Sequence, residues 1–176
     1  VTVRIALGLE KHEILAEGLV RHVRPEKGGL LCGLSLDHEA RGTRQAFLQL
    51  LIPVATGVSL ASLKPELIKQ NEPGLRKIVY ADDSTRLTVW ERERDGEPFS
   101  FEFSMGDHLV RGQAGGSDLQ TFSRVHDLRP HRVTEFAANT AGTDLDGDVR
   151  RIFRWSALNL QYTLPAAHRR MLFALA

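Results

Sequence analysis

A single cysteine, Cys32, stands in 176 residues. Its solitude rules out an internal disulfide framework and any cysteine-rich zinc site, and it fits a reducing compartment, so the cytoplasm is expected. Charge of neither sign dominates: 23 Lys and Arg against 22 Asp and Glu leave a formal net charge of +1. No global field therefore favours nucleic acid or an anionic membrane, and any anion site has to be local. Long apolar runs are missing too. Nothing approaches the roughly 18 residues of a membrane-spanning helix, and the N-terminus lacks the charged-then-apolar order of a signal peptide. The chain begins at Val1 rather than Met, so further sequence upstream is expected.

Catalytic signatures are equally scarce. There is no Walker loop and no dinucleotide glycine fingerprint. Gly57-Val58-Ser59-Leu60-Ala61 ends in alanine where a nucleophile elbow needs glycine. Asp144-Leu145-Asp146-Gly147-Asp148 has carboxylates like those of a calcium loop, but Trp155 stands where that loop needs its closing acid. The segment reads instead as an acidic helix start, where carboxylates meet free N–H groups and the helix dipole. The seven histidines form no H-E-x-x-H or H-x-H unit. Asp107-His108 and His126-Asp127 are the places where a carboxylate could orient an imidazole. No cofactor or metal is implied.

What the chain does have is alternation. Val1, Val3, Ile5, Leu7 and Leu9 alternate with smaller or polar residues, the two-residue period of a half-buried strand. A second strand is expected over about 13–24, a turn at Pro25 to Gly29, and a third strand with Leu30, Cys32, Leu34 and Leu36 on one face. Cys32 is expected to be a buried thiol on that face. Asp37 is a candidate N-cap for a helix carrying Ala40, Phe47, Leu48 and Leu51 and ending near Pro53.

The stretch 55–74 holds Gly57, Pro65, Pro73 and Gly74 around a short helical piece at Leu60 to Gln70, and reads as a linker. Beyond it, a strand at about 75–81 leads to a hairpin turned by Asp95-Gly96. Phe99, Phe101, Phe103 and Met105 then form an aromatic comb suited to a core. A further strand fits His108 to Gly112, and two short strands are expected around Pro130. One helix is expected from Asp146 to Tyr162 on a stripe of Val149, Ile152, Phe153, Ser156, Ala157 and Leu160, and a last one from Pro165.

Glu17-Gly18-Leu19-Val20-Arg21 in the second strand, the glycine-rich turn, Gly33-Leu34-Ser35-Leu36 in the third strand and the helix after it resemble the closing half of a PilZ domain, over residues 1–52. The resemblance implies a partial antiparallel β-barrel and a place in bacterial cyclic di-GMP-linked signalling. That family clamps the nucleotide with Arg-x-x-x-Arg and Asp/Asn-x-Ser-x-x-Gly segments. Here Asp82-Asp83-Ser84-Thr85-Arg86-Leu87 has leucine in the glycine position, and the arginine spacing of Arg150 and Arg154 falls within a helix.

The expected fold class is thus β-rich α+β. Residues 1–54 form a partial PilZ-like β-barrel with a closing helix, 55–74 a linker, and 75–176 a mixed antiparallel-sheet domain with two C-terminal helices. Convergent arginines are the chemistry that would hold a phosphate, which nominates Arg21 and Arg24 at a strand end and Arg150, Arg151 and Arg154 on one helix. Trp155 falls off its helix's apolar stripe beside two of these arginines and is the expected interface anchor, whereas Trp90 is expected in the core. The function expected is a non-catalytic regulatory module acting through cyclic di-GMP or through protein contacts. The alternatives are a protein-interaction adaptor with no nucleotide, or a small enzyme using a His-Asp pair.

Overall fold

A computed structural model describes residues 1–9, 12–36, 51–56, 59–125, 135–160 and 164–176, with backbone alone at 7–9, 12–14, 36 and 135. The core of the expected helix after Asp37, together with His126-Asp127, lies outside the described residues. The chain separates into two units, Val1–Ile52 and Pro53–Ala176.

In the first unit, the alternating segments form three antiparallel strands, β1 (Thr2–Leu9), β2 (His12–Glu26) and β3 (Gly29–Leu36), in the order β1-β2-β3. This sheet is open; β1 and β3 do not pair, so the described strands close no barrel. Strand β2 outruns β1. Its first half pairs with β1 up to Leu19, and from His22 onward it pairs with β3 alone. The result is a two-stranded arm in which residues 21–32 are all exposed. Arg21 is the extra residue of a bulge between Val20 and His22, which keeps Val20 and Val23 on one face. Beside it the His22 ring crosses Gly33 so closely that a β-carbon there would fall 1.9 Å from His22 Cε1, so any larger residue would require the exposed His22 ring to turn away. Cys32 is exposed rather than buried, because its face of the arm has no covering layer among the described residues.

The second unit begins at Pro53 and takes in the whole of the expected linker. Residues 51–56 are helical, Leu60 is 2% exposed in the core, and β4 (Ala61–Ser62) adds an edge strand. The expected helix over 60–70 reduces to one 3-10 turn at Pro65–Leu67. Then come β5 (Leu75–Ala81), β6 (Thr85–Arg92), β7 (Pro98–Met105), β8 (His108–Gln113), β9 (Gln120–Val125) and β10 (Glu135–Ala138). All seven strands of this sheet pair antiparallel in sequence order, a meander. The β6–β7 hairpin turns at Asp95-Gly96 as expected, with Gly96 at φ +70°.

The aromatic comb is one tooth shorter than its sequence. Phe101, Phe103 and Met105 are buried, but Trp90 pairs with Ser100 and Glu91 with Pro98, so Phe99 bulges out and is 40% exposed. Two helices cover the comb face. Helix α1 (Asp144–Asn159) is capped by Thr143, whose Oγ1 accepts from Asp146 N–H at 3.3 Å, with Asp144 and Asp146 in its first turn. Its Val149, Phe153 and Ala157 enter the core, and Phe153 stacks on Phe101 with ring centres 5.3 Å apart. Helix α2 (Ala166–Leu175) adds Met171 and Leu172. The molecule is therefore a β-rich α+β protein with two antiparallel sheets, and no described helix is long and apolar enough to cross a membrane.

Candidate functional site

Three polar arrangements emerge from this frame. The first is a chain of ionisable side chains beneath α2. Strand β6 carries Thr85, Leu87, Val89 and Glu91 on its helix-facing side, so the alternation that buries two aliphatics also buries a carboxylate, 6% exposed. Helix α2 supplies His168, fully buried, three and four residues before Met171 and Leu172 on the same stripe. Its Nε2 meets Glu91 Oε1 at 2.6 Å, and its Nδ1 meets the Tyr80 hydroxyl at 3.1 Å. Arg76, exposed on β5, donates through Nε to Glu91 Oε2 at 3.0 Å and through Nη2 to the same oxygen.

The hydrogen-bond network assigns one neutral tautomer that satisfies these contacts. Tyr80 O–H donates to Nδ1, Nε2–H donates to Glu91, and the second carboxylate oxygen takes the guanidinium. Burial, and then the Glu91 charge, pushes the Tyr80 phenol up to about 12. A protonated phenol and an imidazole with no surface exposure can tie α2 to the sheet, but they offer no group to a substrate from solvent.

The second arrangement absorbs the helical arginines. Asp146, 4% exposed, accepts from Thr121 Oγ1 at 2.6 Å, from Gly142 N–H at 3.2 Å, and from Arg150 Nε at 3.0 and 2.9 Å. These bonds, that from Thr121 foremost, hold its carboxyl below the usual carboxylate range. Arg150 also donates to the Leu119 carbonyl at 2.7 Å, so its fork bonds the residue just before β9 as well as its own helix. Arg151 pairs with Asp148 at 2.6 Å and lies over the Trp155 ring at 5.6 Å, while Arg154 Nε donates to the Ala176 carbonyl at 2.6 Å. The three arginines that share a helix therefore make separate internal contacts. Trp155, expected as an exposed anchor, is 5% exposed, with Arg151 lying over its ring.

Elsewhere, Arg24 pairs with Glu26 at 3.3 Å on the exposed arm, and Arg21, the bulge residue, has no partner among the described residues. Asp107 pairs with Arg124 at 3.2 Å. His108 occupies the helix-facing side of β8, opposite Ser123 on β9. Among the described residues, no group of three His, Cys, Asp or Glu could hold a metal ion.

The third arrangement is an open groove of about 660 Å³ on the sheet face opposite α1 and α2. Register builds it: Trp90 lies opposite Ser100, Ser100 opposite Gln113, Glu102 opposite Arg111, and Arg111 opposite Gln120. Trp90 is half-buried rather than in the core, with Lys77 over its ring at 5.4 Å. Glu102 neutralises Arg111 at 2.8 Å, and Arg111 stacks on Phe122 at 4.9 Å. Glu72 and Asp118 complete the rim, have no ion-pair partner among the described residues, and leave it net acidic. Polar rungs beside one aromatic suit a docked chain segment, because they can bond an extended backbone while Trp90 provides an apolar contact.

Neither the groove nor the buried chain was expected from sequence. Tyr80 and His168 lie 88 residues apart, and Glu91 and His168 lie 77 apart. One local signal existed: Glu91 interrupts the aliphatic phase of β6. Comparison of the chain with family models, curated proteins and solved structures found no match.

Proposed function

We propose that this chain is a non-catalytic bacterial regulatory module, PilZ-like over residues 1–52, that works in cyclic di-GMP-linked signalling by contact with another protein. The observation that carries the reading is the acidic groove at Trp90, an open polar site with Ser100, Gln113 and Gln120 along it and Glu72 and Asp118 on its rim. Its partner is an extended basic segment: Glu72 and Asp118 attract the charge, and Trp90 covers an aliphatic or aromatic side chain. The chemistry of the rim, not the family resemblance, sets that preference.

Selection from a displayed library of random peptides, with Trp90 fluorescence as the binding signal, tests it. Enriched peptides should be basic, bind more weakly as salt rises, and lose binding in the Glu72→Lys/Asp118→Lys protein. Enrichment of nothing, or of peptides that bind the double variant equally, refutes the groove.

A nucleotide form of the reading is supported by Arg21, exposed on its bulge without a partner among the described residues, three positions from Arg24. Calorimetric titration with cyclic di-GMP decides it. Heat that disappears in Arg21→Ala/Arg24→Ala supports the nucleotide form, and no heat eliminates it.

A further inference from the structure

The arm of the first unit presents an edge that folded proteins do not ordinarily leave bare. Natural edge strands are guarded by lysine, proline, inward charges or bulges, because unpaired N–H and C=O groups recruit other strands. Strand β3, Gly-Leu-Leu-Cys-Gly-Leu-Ser-Leu, has no charge, no proline and no bulge of its own, and no described strand pairs with its outer edge. Three of its leucines are exposed: Leu30 at 69%, Leu31 at 44% and Leu34 at 40%. A two-stranded arm is marginal in water by itself, and apolar side chains on both of its faces make it more so.

We propose that the outer edge of β3 pairs antiparallel with the β3 edge of a second copy of this chain, with the two-fold axis at Cys32. Three features point to self-pairing. The first is the placement of Leu30 and Leu34, which is symmetric about that axis. Leu30 and Leu34 stand two residues to either side of Cys32, so each Leu30 faces the other copy's Leu34 on the side of the sheet that Val20 and Val23 share.

The second feature is parity. In antiparallel pairing, opposed residues share a face, so a shift of one residue would set leucines against Gly33 and Ser35 on the wrong side. Centring on Cys32 keeps Leu30, Cys32 and Leu34 of both copies on one side and sets Leu31 opposite Gly33 on the other.

The third is charge. The basic residues of the arm, Arg21, Arg24 and Lys27, belong to β2 and its turn. Pairing through β3 places the two β2 strands three strand spacings apart, about 14 Å. At physiological salt that exceeds the screening length of roughly 8 Å. An uncharged edge thus meets its copy without like-charge contact, and the exposed leucines gain cross-strand neighbours on their own face.

Light scattering on the full chain over a rising concentration series, joined to crosslinking, tests the pairing. The wild-type mass should double, and a short bis-maleimide should join the chains at Cys32, since opposed β-carbons lie roughly 5 Å apart. Leu30→Lys/Leu34→Lys alters only exposed positions and should halve the mass while leaving the circular dichroism spectrum unchanged. Crosslinking of the wild type stands even if that variant misfolds. A mass of one chain at every concentration overturns the proposal. So does a two-chain mass with Cys32 uncrosslinked, or one that survives in the folded double variant. The proposal is independent of the groove, because it uses none of that site's residues.

Discussion

The two sheets of this protein are built by the same rule and reach opposite ends. In both, a two-residue period makes antiparallel strands, with a glycine turn at Gly28 in the first and at Gly96 in the second. In the second unit the apolar phase of the sheet meets two amphipathic helices, and Leu87, Val89, Phe101 and Phe153 are essentially sealed from water. In the arm of the first unit the same phase, Val23, Leu30, Cys32 and Leu34, meets nothing among the described residues and stays exposed. Alternation therefore identifies which face seeks burial, and a second layer determines whether burial happens.

The sharpest way to break this comparison is to hollow out the covered sheet. Phe153→Ala removes the ring stacked on Phe101 and should lower the unfolding free energy by about 3–5 kcal/mol, measured by denaturant titration. A much smaller loss would mean that α1 contributes little to the sheet. Next in size is the tie between α2 and β6. His168→Ala leaves Glu91 and Tyr80 buried without their partner, and should cost about 2–3 kcal/mol. His168→Leu/Glu91→Leu, which removes both polar partners, should recover part of that loss in the same assay.

Two pH effects follow in order. The Asp146 carboxyl titrates below its unfolded value, so its contribution is complete above about pH 4 and is lost as pH falls through the folded value. Acid titration of Asp146→Asn should lack that part of the decline. The Tyr80 phenol, raised to about 12, acts in the opposite sense: stability is complete below its unfolded value near 10 and declines as pH rises from there towards 12. In Tyr80→Phe that alkaline slope should flatten.

The smallest effect belongs to the uncovered sheet. Arg4 and Glu17 pair across β1 and β2 at 3.5 Å, with side chains 72% and 61% exposed. Arg4→Ala should change stability by less than about 0.5 kcal/mol, and a larger loss would show that the first unit is more tightly built than its surface suggests.

Much of the architecture was legible in the sequence because it is local. The alternation of β1 to β3, the Asp95-Gly96 turn, the acidic start of α1 and its Val149-Phe153-Ala157 stripe each need only a few neighbouring residues. The linker was misplaced because Gly57, Pro65 and Pro73 signal breaks in regular structure, whereas Leu60 is recruited to the core by residues distant in sequence. The site was less legible still. Convergence of Arg150, Arg151 and Arg154 on one ligand was a fair inference from helical spacing, but Asp146, Asp148 and the chain's last carbonyl claim them one by one.

The sequence by itself determined the strands, the turns and the faces that are apolar, since these follow from backbone geometry and the periods of side-chain direction. It determined as well that β3 is an uncharged strand with Leu30 and Leu34 equally spaced about Cys32. Only the tertiary structure decided that Glu91 and Tyr80 meet His168, that Trp155 lies buried and Trp90 borders a groove, and that β3 forms an edge among the described strands. Those outcomes depend on which elements pack together. Burial and hydrogen-bond satisfaction are settled between residues far apart in the chain, where no local period reaches.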